Sequence, residues 1–171
     1  KRTLKEINKC EDIDRLRGLE GEAASTYFRA FDELILQQKK DFIFQGRNKR
    51  PPMDNVNALL SFVYTLLANS MASALEAVGL DPYVGFMHTD RPGRCSLALD
   101  MMEELRSSFA DRFVLTLINK KIVTGKQFKK SENGAVILKE DARKVVLIEW
   151  HKRKWSGDLF HLFRQCFWQG I

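Results

Sequence analysis

The sequence has only three cysteines, and they lie far apart. Cys10, Cys95 and Cys166 form no CxxC pair in a chain of 171 residues. Structural zinc sites and disulfide frameworks need cysteines in closely spaced or even-numbered sets, so neither kind of site is expected. A few unpaired cysteines are typical of the reducing cytoplasm, which is where we expect the protein to work.

Common catalytic signatures are also missing. The sequence has no Walker-type phosphate loop, no GxGxxG motif and no GxSxG elbow. It therefore does not indicate a nucleotide cofactor or a serine hydrolase. The first fourteen residues are rich in charge, and no signal peptide is expected there.

One segment, from Val56 to Leu75, contains no charged residue and is long enough to cross a bilayer. Within it a small polar residue recurs at every fourth position, as Asn57, Ser61, Thr65, Asn69 and Ser73. This period places the polar side chains on one face of a helix whose other faces are apolar. We therefore predict the core helix of a soluble domain, with no membrane partner. Asp54 is its expected N-cap, and Gly79 is expected just beyond its C-terminus.

Positive charge is concentrated in the second part of the chain. The 28 lysines and arginines outnumber the 22 acidic residues. Residues 111–171 carry 13 basic and 6 acidic side chains, against 15 and 16 in residues 1–110. Lys and Arg bind a phosphate backbone by releasing its counterions, so this distribution is typical of a protein that binds a polyanion. Many soluble proteins carry a similar surplus without such a partner, and the charge alone leaves both interpretations open.

Hydrophobic periodicity predicts a mainly α-helical fold with one small β-hairpin. Helices are expected at about residues 13–38, over the uncharged segment, at 96–119 with Ser96 as N-cap, and at 140–154. The hairpin is expected in residues 122–138, around an Asn-Gly turn. Along the first helix a buried apolar stripe is predicted from Ile13, Leu16, Ala23, Tyr27, Phe31 and Leu34. Glu20 falls on this stripe, and the glycines that flank it allow a break in the helix there.

Four titratable residues are candidates for a metal site. Glu20 interrupts the apolar stripe, His88 precedes a basic turn, and Asp100 and Glu103 are three residues apart on one helical face. One imidazole with several carboxylates and no thiolate is a hard donor set suited to Mg²⁺ or Mn²⁺. Such an ion can polarise a phosphodiester.

Each candidate also has an ordinary structural explanation. Asp100 and Glu103 can belong to the solvated face of an amphipathic helix, and His88 can be a hydrogen-bonded structural histidine. Glu20 can pair with a core arginine. Spacing alone leaves these explanations and the metal site open.

Basic residues at three places are candidates for DNA contacts. Two lie in the turn after His88, two lie in the hairpin, and two lie in the last predicted helix. They are Arg91, Arg94, Lys129, Lys130, Arg143 and Lys144. Solvated surface is the alternative explanation for such residues.

Four ordered motifs resemble those of a known family. They are LRGLEGEAA at residues 16–24, RPPMDNVNALLSF at 50–62, GLDPYVGFMH at 79–88, and RPGR followed by SLALDMMEE within 91–104. Their content and order are similar to the CRISPR adaptation integrase, the CRISPR-associated endonuclease numbered one in its series, and most similar to its subtype I-C branch. The resemblance implies a helical catalytic domain at residues 1–154 and a tail at 155–171 that departs from the family pattern.

The resemblance also implies a site and a reaction. The family's metal ligands correspond to Glu20, His88 and Glu103, with Asp100 as a supporting acidic group, and its cofactor is Mg²⁺ or Mn²⁺. A 3′-hydroxyl of foreign DNA attacks a phosphodiester at a CRISPR repeat, and water in its place leads to cleavage. The catalytic interpretation requires Glu20, His88 and Glu103 to converge within metal-bridging range of one another, and it fails if they do not.

The implied partners are DNA, a second copy of the protein and a small second CRISPR adaptation protein. In the family an N-terminal β domain builds the homodimer, and we expect only the helical domain in these 171 residues. Two other functions remain as alternatives. One is a general metal-dependent nuclease, and the other is a non-catalytic DNA-binding or interaction module.

Overall fold

The structure is a computed structural model that describes residues 6–8, 10–89 and 91–155. It is mainly α-helical with one two-stranded antiparallel hairpin, as the sequence predicts. The helices are α1 (Ile13–Ala30), α2 (Asn55–Ala77), α3 (Ser96–Leu105), α4 (Arg112–Asn119) and α5 (Glu140–Trp155). The strands are β1 (Phe128–Lys130) and β2 (Val136–Leu138). Single 3₁₀ turns cover Phe31–Leu34 and Gly125–Gln127, and a π-helical segment, Arg106–Asp111, joins α3 to α4.

Helix α2 forms the centre of the core, packed against α3, α4, the π-helical segment and β2. Its predicted caps are confirmed. The Asp54 carboxylate accepts a hydrogen bond from the Asn57 N–H at 2.7 Å. Gly79 has a φ of +79°, and the Leu80 N–H donates to the Leu75 carbonyl at 2.9 Å, which is the Schellman pattern. The helix is long and apolar enough to cross a membrane, but 44% of that apolar stretch is buried inside the protein. This packing supports a core helix.

The chain after α1 is not helical out to residue 38, so the predicted length of the first helix is wrong. The side chain of Asn119, at the end of α4, holds this segment. Its oxygen accepts hydrogen bonds from the N–H groups of Leu36 (2.8 Å) and Gln37 (3.2 Å), and its nitrogen donates to the Leu34 carbonyl (3.0 Å). These bonds replace the helical ones, and they come from a residue more than eighty positions away.

Of the apolar stripe predicted along α1 only Phe31 is buried, and Leu34, its last member, is 46% exposed. Phe31 is fully buried and Tyr27 is partly buried, whereas Ile13 is 44% exposed. Within α1 itself only Leu19 is buried. The helix runs through both of its glycines without a break. Its first half borders an open cavity, lined by Leu16 and Leu19, and therefore does not enter the core.

The predicted helix at residues 96–119 is confirmed in extent, although the π-helical segment within it was not predicted. Ser96 is not the N-cap as predicted but the first helical residue. The Pro82 carbonyl accepts hydrogen bonds from the N–H groups of Leu97 (3.0 Å) and Ala98 (3.3 Å). The backbone of the preceding loop therefore satisfies N–H groups at this helix end, a role the sequence suggested for a serine side chain.

The hairpin and α5 close the other side of the core. Phe128 pairs with Leu138 across the strands, and both side chains are buried. The turn includes Gly134, with a φ of +82°. On α5, Val146 and Trp150 are buried one turn apart. Both elements match their predictions. The predicted tail at 155–171 lies outside the described residues apart from the backbone of its first position.

Asn57 is a fully buried polar residue in the first turn of α2. Its side-chain oxygen accepts hydrogen bonds from Arg47 Nη1 (2.7 Å) and the Asn48 N–H (3.1 Å). Its side-chain nitrogen donates to the Gly46 carbonyl (2.9 Å) and to Asp54 Oδ2 (2.7 Å). One amide therefore holds the loop of residues 45–52, called the basic loop below, against the start of α2.

Replacing Asn57 by alanine is expected to reduce the free energy of unfolding by about 2–4 kcal/mol, because loop groups that are shielded from water lose their partner. Urea denaturation measures this change. Asn69→Ala is the matched control, since Asn69 is an exposed asparagine of the same helix, and its effect is expected to stay within about 0.5 kcal/mol. Equal losses in the two variants would contradict a special role for Asn57.

Candidate active site

Asp100 of α3 organises the loop that contains His88. Its side chain is 1% exposed. Oδ2 accepts hydrogen bonds from the N–H groups of Phe86 (2.7 Å) and Met87 (2.9 Å). Oδ1 accepts one from the His88 N–H (2.9 Å) and lies 2.5 Å from His88 Nδ1. A single carboxylate therefore fixes both the backbone of the loop and the imidazole ring.

The loop can approach α3 this closely because residue 85 is glycine. A Cβ at Gly85 would lie 2.6 Å from the Cβ of Ser96 and 3.0 Å from Asp100 Oδ2, distances that ordinary side chains do not reach. On the other side, Arg17 of α1 donates to the Met87 carbonyl from Nε (2.8 Å) and Nη2 (2.5 Å). The loop is therefore held between α1 and α3.

The hydrogen bonds to Asp100 also determine its protonation. Burial disfavours the charged carboxylate, but the bonds from the Met87 N–H, the His88 ring and the neighbouring N–H groups outweigh it. Together they lower the pKa of Asp100 below its ordinary value of 3.8. Asp100 is thus a stable anion at neutral pH, and its negative charge favours the tautomer of His88 that carries a proton on Nδ1.

The three predicted ligands Glu20, His88 and Glu103 line one cavity of about 820 Å³. They come from α1, the loop before α3, and α3. The side chains of His88 and Glu103 are each 25% exposed, and Glu20 is exposed. Asp100, Glu104 and Ser107 also line it, together with apolar side chains from α1, α3, the loop and Ile7. The structure thus brings together residues that are far apart in the sequence.

The pKa of Glu103 is raised above its ordinary value. Burial raises its pKa, the Arg106 guanidinium opposes the rise, and the negative charge of Glu20 adds to it. Arg106 forms a salt bridge with Glu103 one turn along the chain. A positive charge in the cavity would therefore stabilise the ionised form of Glu103.

Within the part of the chain that the structure describes, no group of three or more His, Cys, Asp or Glu side chains stands close enough to hold a metal ion. The contacts above explain why, since Glu103 is paired with Arg106 and His88 with Asp100. The chemistry of the donors nevertheless fits a hard divalent cation. The carboxylates of Glu20 and Glu103, which repel each other, share the cavity with the imidazole of His88. Asp100 contacts Nδ1 of that ring, so Nε2 is the nitrogen that could bind a metal ion.

Asp100 was predicted as an acidic group beside the ligands, with its oxygens pointing into the same space as those of Glu103. Asp100 does line the same cavity as Glu20, His88 and Glu103. Its two oxygens also accept four hydrogen bonds from the loop. Its contact with His88 Nδ1 has the geometry of the carboxylate partners that orient metal-binding histidines in other proteins.

The six basic residues predicted as DNA contacts do not line this cavity. They lie in the turn after His88, on β1 and on α5, and the three places differ in exposure and pairing. Arg94 is half-buried and donates its N–H to the Arg91 carbonyl at 3.0 Å. Lys129, Lys130 and Arg143 are exposed, and Lys144 pairs with Glu140 at 2.8 Å. Their contact with DNA stays a prediction.

Sequence reasoning missed a second group of basic residues beside the cavity. Arg29, Arg47, Lys49 and Arg106 line a separate cavity of about 500 Å³. Two of them lie in the basic loop at residues 45–52, whose composition is the only sequence signal for this group. Nothing in the spacing of the sequence connects this loop with α1 or α3.

Sequence comparisons give relatives over most of the chain. The family model of the CRISPR associated protein Cas1 matches residues 1–152. The CRISPR-associated endonuclease Cas1 2 of Rhodospirillum rubrum is 57% identical over 145 residues, which are 85% of this chain and 42% of that protein. The CRISPR-associated endonuclease Cas1 1 of Chlorobaculum tepidum is 52% identical over 151 residues, which are 88% and 44%. The chain therefore spans less than half the length of these two relatives.

Solved structures share the fold. A Cas1 protein from Thermotoga maritima superposes with a TM-score of 0.84 at 26% identity, over 92% of this chain and 50% of that one. A casposase bound to an integration product gives 0.80 at 28% identity, over 88% and 42%. A chain of a Cas6-RT-Cas1–Cas2 complex gives 0.81 at 27% identity, over 96% and 19%. None of these comparisons assigns subtype I-C, which stays a prediction.

Replacing Asp100 by asparagine is expected to destabilise the chain at neutral pH, because an amide cannot accept hydrogen bonds at both of its ends. Since the folded pKa is lowered, the charge of Asp100 stabilises the fold above its ordinary value of 3.8. This contribution is lost as the pH falls through the lower folded value, so the variant and the wild type should converge in acid. Urea denaturation over a pH series measures the difference.

Asp81→Asn is the control for this measurement. Asp81 is an exposed aspartate that accepts one N–H, from Tyr83 at 2.9 Å. Its replacement should have a small effect at every pH. A loss at Asp100 that did not change with pH would show that its charge is not what stabilises the loop.

Proposed function

The chain belongs to the CRISPR associated protein Cas1 family, and on this basis we propose that it carries the DNA-cutting and DNA-joining site of a CRISPR adaptation integrase. The observation that supports this site is the shared cavity of Glu20, His88 and Glu103. Helix α1, the loop before α3, and α3 itself each place one donor residue at this cavity, and α1 is far from the other two in the sequence. Charged residues that served only to face solvent would have no reason to meet at one cavity.

We infer that Glu20, His88 and Glu103 hold Mg²⁺ or Mn²⁺, with Asp100 as a positioning residue. When bound, the ion polarises a phosphodiester and stabilises the charge that develops on its oxygens. Asp100 contributes by holding the proton on His88 Nδ1, so that Nε2 is the free nitrogen of the ring. Arg17 contributes by anchoring the Met87 carbonyl, which limits movement of the loop.

The proposed substrate is DNA, and the proposed reaction is transesterification. The 3′-hydroxyl of an incoming strand forms a new bond to phosphorus at a repeat boundary, and the former strand oxygen leaves. Water in place of the hydroxyl gives cleavage by the same displacement. The names of the relatives support both outcomes, since curated relatives are endonucleases and a structural neighbour is bound to an integration product.

The remaining features of the whole protein are proposals of the same kind. Residues 1–154 would form the catalytic domain, and residues 155–171 receive no function. A small second adaptation protein as a partner is supported by a structural neighbour that belongs to a Cas1–Cas2 complex. Dimerisation is proposed from the family resemblance alone. We expect action on DNA in the cytoplasm, without a membrane partner, because α2 packs as a core helix.

A non-catalytic DNA-binding module is the second candidate. It is favoured by the pairing of Glu103 with Arg106 and by the absence, within the described ranges, of three donors placed to hold an ion. Mn²⁺ titration followed by electron paramagnetic resonance separates the two candidates without any assay of activity. An integrase site should bind Mn²⁺ in a way that His88→Ala weakens, whereas a DNA-binding module should bind no Mn²⁺ at this cavity.

Glu103→Gln is expected to lower Mn²⁺-dependent cleavage and strand transfer by more than about 100-fold, because it replaces a charged ligand with a neutral amide. Mutating a residue that only hydrogen-bonds a metal ligand already lowers activity by about 10–100-fold. The assay uses a labelled DNA substrate with a repeat junction and follows both products. A nuclease unconnected to CRISPR adaptation would cut this substrate without joining strands.

Glu104→Gln is the matched control. Glu104 lines the same cavity, is exposed, and loses the same charge in the same substitution. It is expected to keep activity within a few-fold of the wild type. If the two variants lost activity equally, general electrostatics of the cavity would explain the result better than a ligand at Glu103.

A further inference from the structure

The cavity of Glu20, His88 and Glu103, called the carboxylate cavity below, has an apolar side as well as an acidic one. Seven of its lining residues are apolar, and they include Leu16, Leu19, Phe86, Met87 and Met101. A metal ion and a phosphate need polar neighbours only, so the proposed chemistry leaves this apolar side without a role. In binding sites an apolar wall beside a few convergent polar groups indicates a ligand with an apolar part.

Phe86 is the aromatic side chain of this lining. It is 62% exposed, although a phenyl ring gains more than most side chains from being covered. Tyr83 and Val84 of the same loop are also exposed, at 48% and 62%, but they are not among the described residues that line the cavity. Phe86 is therefore the exposed ring of the loop that stands where a ligand of the carboxylate cavity would meet it.

The backbone on either side of Phe86 is fixed. Its own N–H donates to Asp100 Oδ2 at 2.7 Å, and the Met87 carbonyl accepts from Arg17 Nε at 2.8 Å. Gly85 lies against Ser96 of α3, where a Cβ would have no room. The ring is thus presented at the cavity by a rigid support. A side chain with only two rotatable bonds also loses little entropy when a ligand covers it.

A nucleotide combines the two kinds of group that the cavity can contact. Its phosphate and hydroxyl oxygens suit the acidic side with a bound cation, and its base is flat and largely apolar on both faces. A base inside a duplex is paired and stacked, whereas an unpaired base at a strand end is free to enter a site at little cost. The cavity measures about 820 Å³, which is within the usual range of roughly 300–1,000 Å³ for small-molecule sites.

We propose that the apolar side of the carboxylate cavity holds the base of the 3′-terminal nucleotide of the incoming DNA strand, and that Phe86 stacks on this base. The inference rests on the proposed function, because it takes the ligand to be DNA. Phe86 contacts the substrate without taking part in the displacement at phosphorus. By fixing the terminal base it orients the 3′-hydroxyl of the same nucleotide. Stacking of this kind accepts all four bases, since each has a π-face.

The test measures binding of a single-stranded oligonucleotide, labelled with fluorescein near its middle, by anisotropy in EDTA. Its last linkage is a neutral methylphosphonate, so that Glu20 and Glu103 do not repel it when no cation is present. F86A is expected to weaken binding at least about fivefold, the lower end of the effect of losing one base stack. F86W should stay within about twofold of the wild type or bind more tightly, because indole also stacks on bases.

Y83A is the matched control. Tyr83 is an exposed aromatic residue of the same loop that is not among the residues lining the cavity, and its removal should leave binding unchanged. Because most of the Phe86 ring lies outside the core, F86A should unfold in urea as the wild type does. Equal losses of affinity in F86A and Y83A would overturn the proposal, as would a loss in F86A that F86W shares.

A second arm removes the base instead of the ring. A strand that is abasic at its 3′ end should bind the wild type at least about fivefold more weakly than the complete strand, whereas a 5′-abasic strand should bind normally. F86A should bind the complete and the 3′-abasic strands alike, because both changes remove the same contact. If the wild type bound all three strands equally, Phe86 would pack on something other than a terminal base and the proposal would be wrong.

Tryptophan fluorescence of F86W gives a direct signature of stacking, because a stacked nucleobase quenches the emission of indole. After subtraction of the wild-type signal, the emission should fall with the complete strand and stay constant with the 3′-abasic strand. Equal responses to both strands would contradict a stack on the terminal base.

These measurements use no divalent metal, so they separate this inference from the proposed catalytic function. A chain that depends on the terminal base but binds no Mn²⁺ would contradict the catalytic function and support the base site. A chain that binds Mn²⁺ but does not respond to the missing base would support the catalytic function and overturn the base site.

Discussion

The arrangement of the candidate site depends on one buried carboxylate. Asp100 accepts hydrogen bonds from three consecutive N–H groups and from the ring of His88. These donors are shielded from water at least in part, so each would be costly to leave unpaired. The loop must therefore stay against α3, which is sterically possible because residue 85 is glycine. The carboxylate cavity exists because this loop and α1 face each other across it.

Two cavities of opposite charge meet at the pair of Glu103 and Arg106. On one side, burial and the charge of Glu20 raise the pKa of Glu103. On the other, Arg47 and Lys49 repel Arg106 and each other. Each side alone is electrostatically unfavourable, and the salt bridge between them offsets part of both costs. A cation in the carboxylate cavity would complete the compensation on that side.

The sequence predicted those elements whose boundaries are local. Helix α2 begins and ends as predicted because Asp54 and Gly79 act on residues within one turn of them. The first helix was predicted too long because Asn119, distant in sequence, binds the segment after it. Ser96 was predicted as a cap because a serine there is locally suitable, but the Pro82 carbonyl satisfies the helix end instead. Sequence patterns predict hydrogen bonds between residues close in the chain and do not predict those between distant segments.

For the site, the sequence by itself determined the family and was enough to propose the donor residues, because motifs preserve residue types and their order. It did not determine what Asp100 does, since one carboxylate at a given spacing can face a metal or a loop. It also left Arg47, Lys49 and Arg106 unconnected, because they lie on separate elements that only packing brings to one cavity. The tertiary structure decided these points, since burial and long-range contacts set which charges face each other.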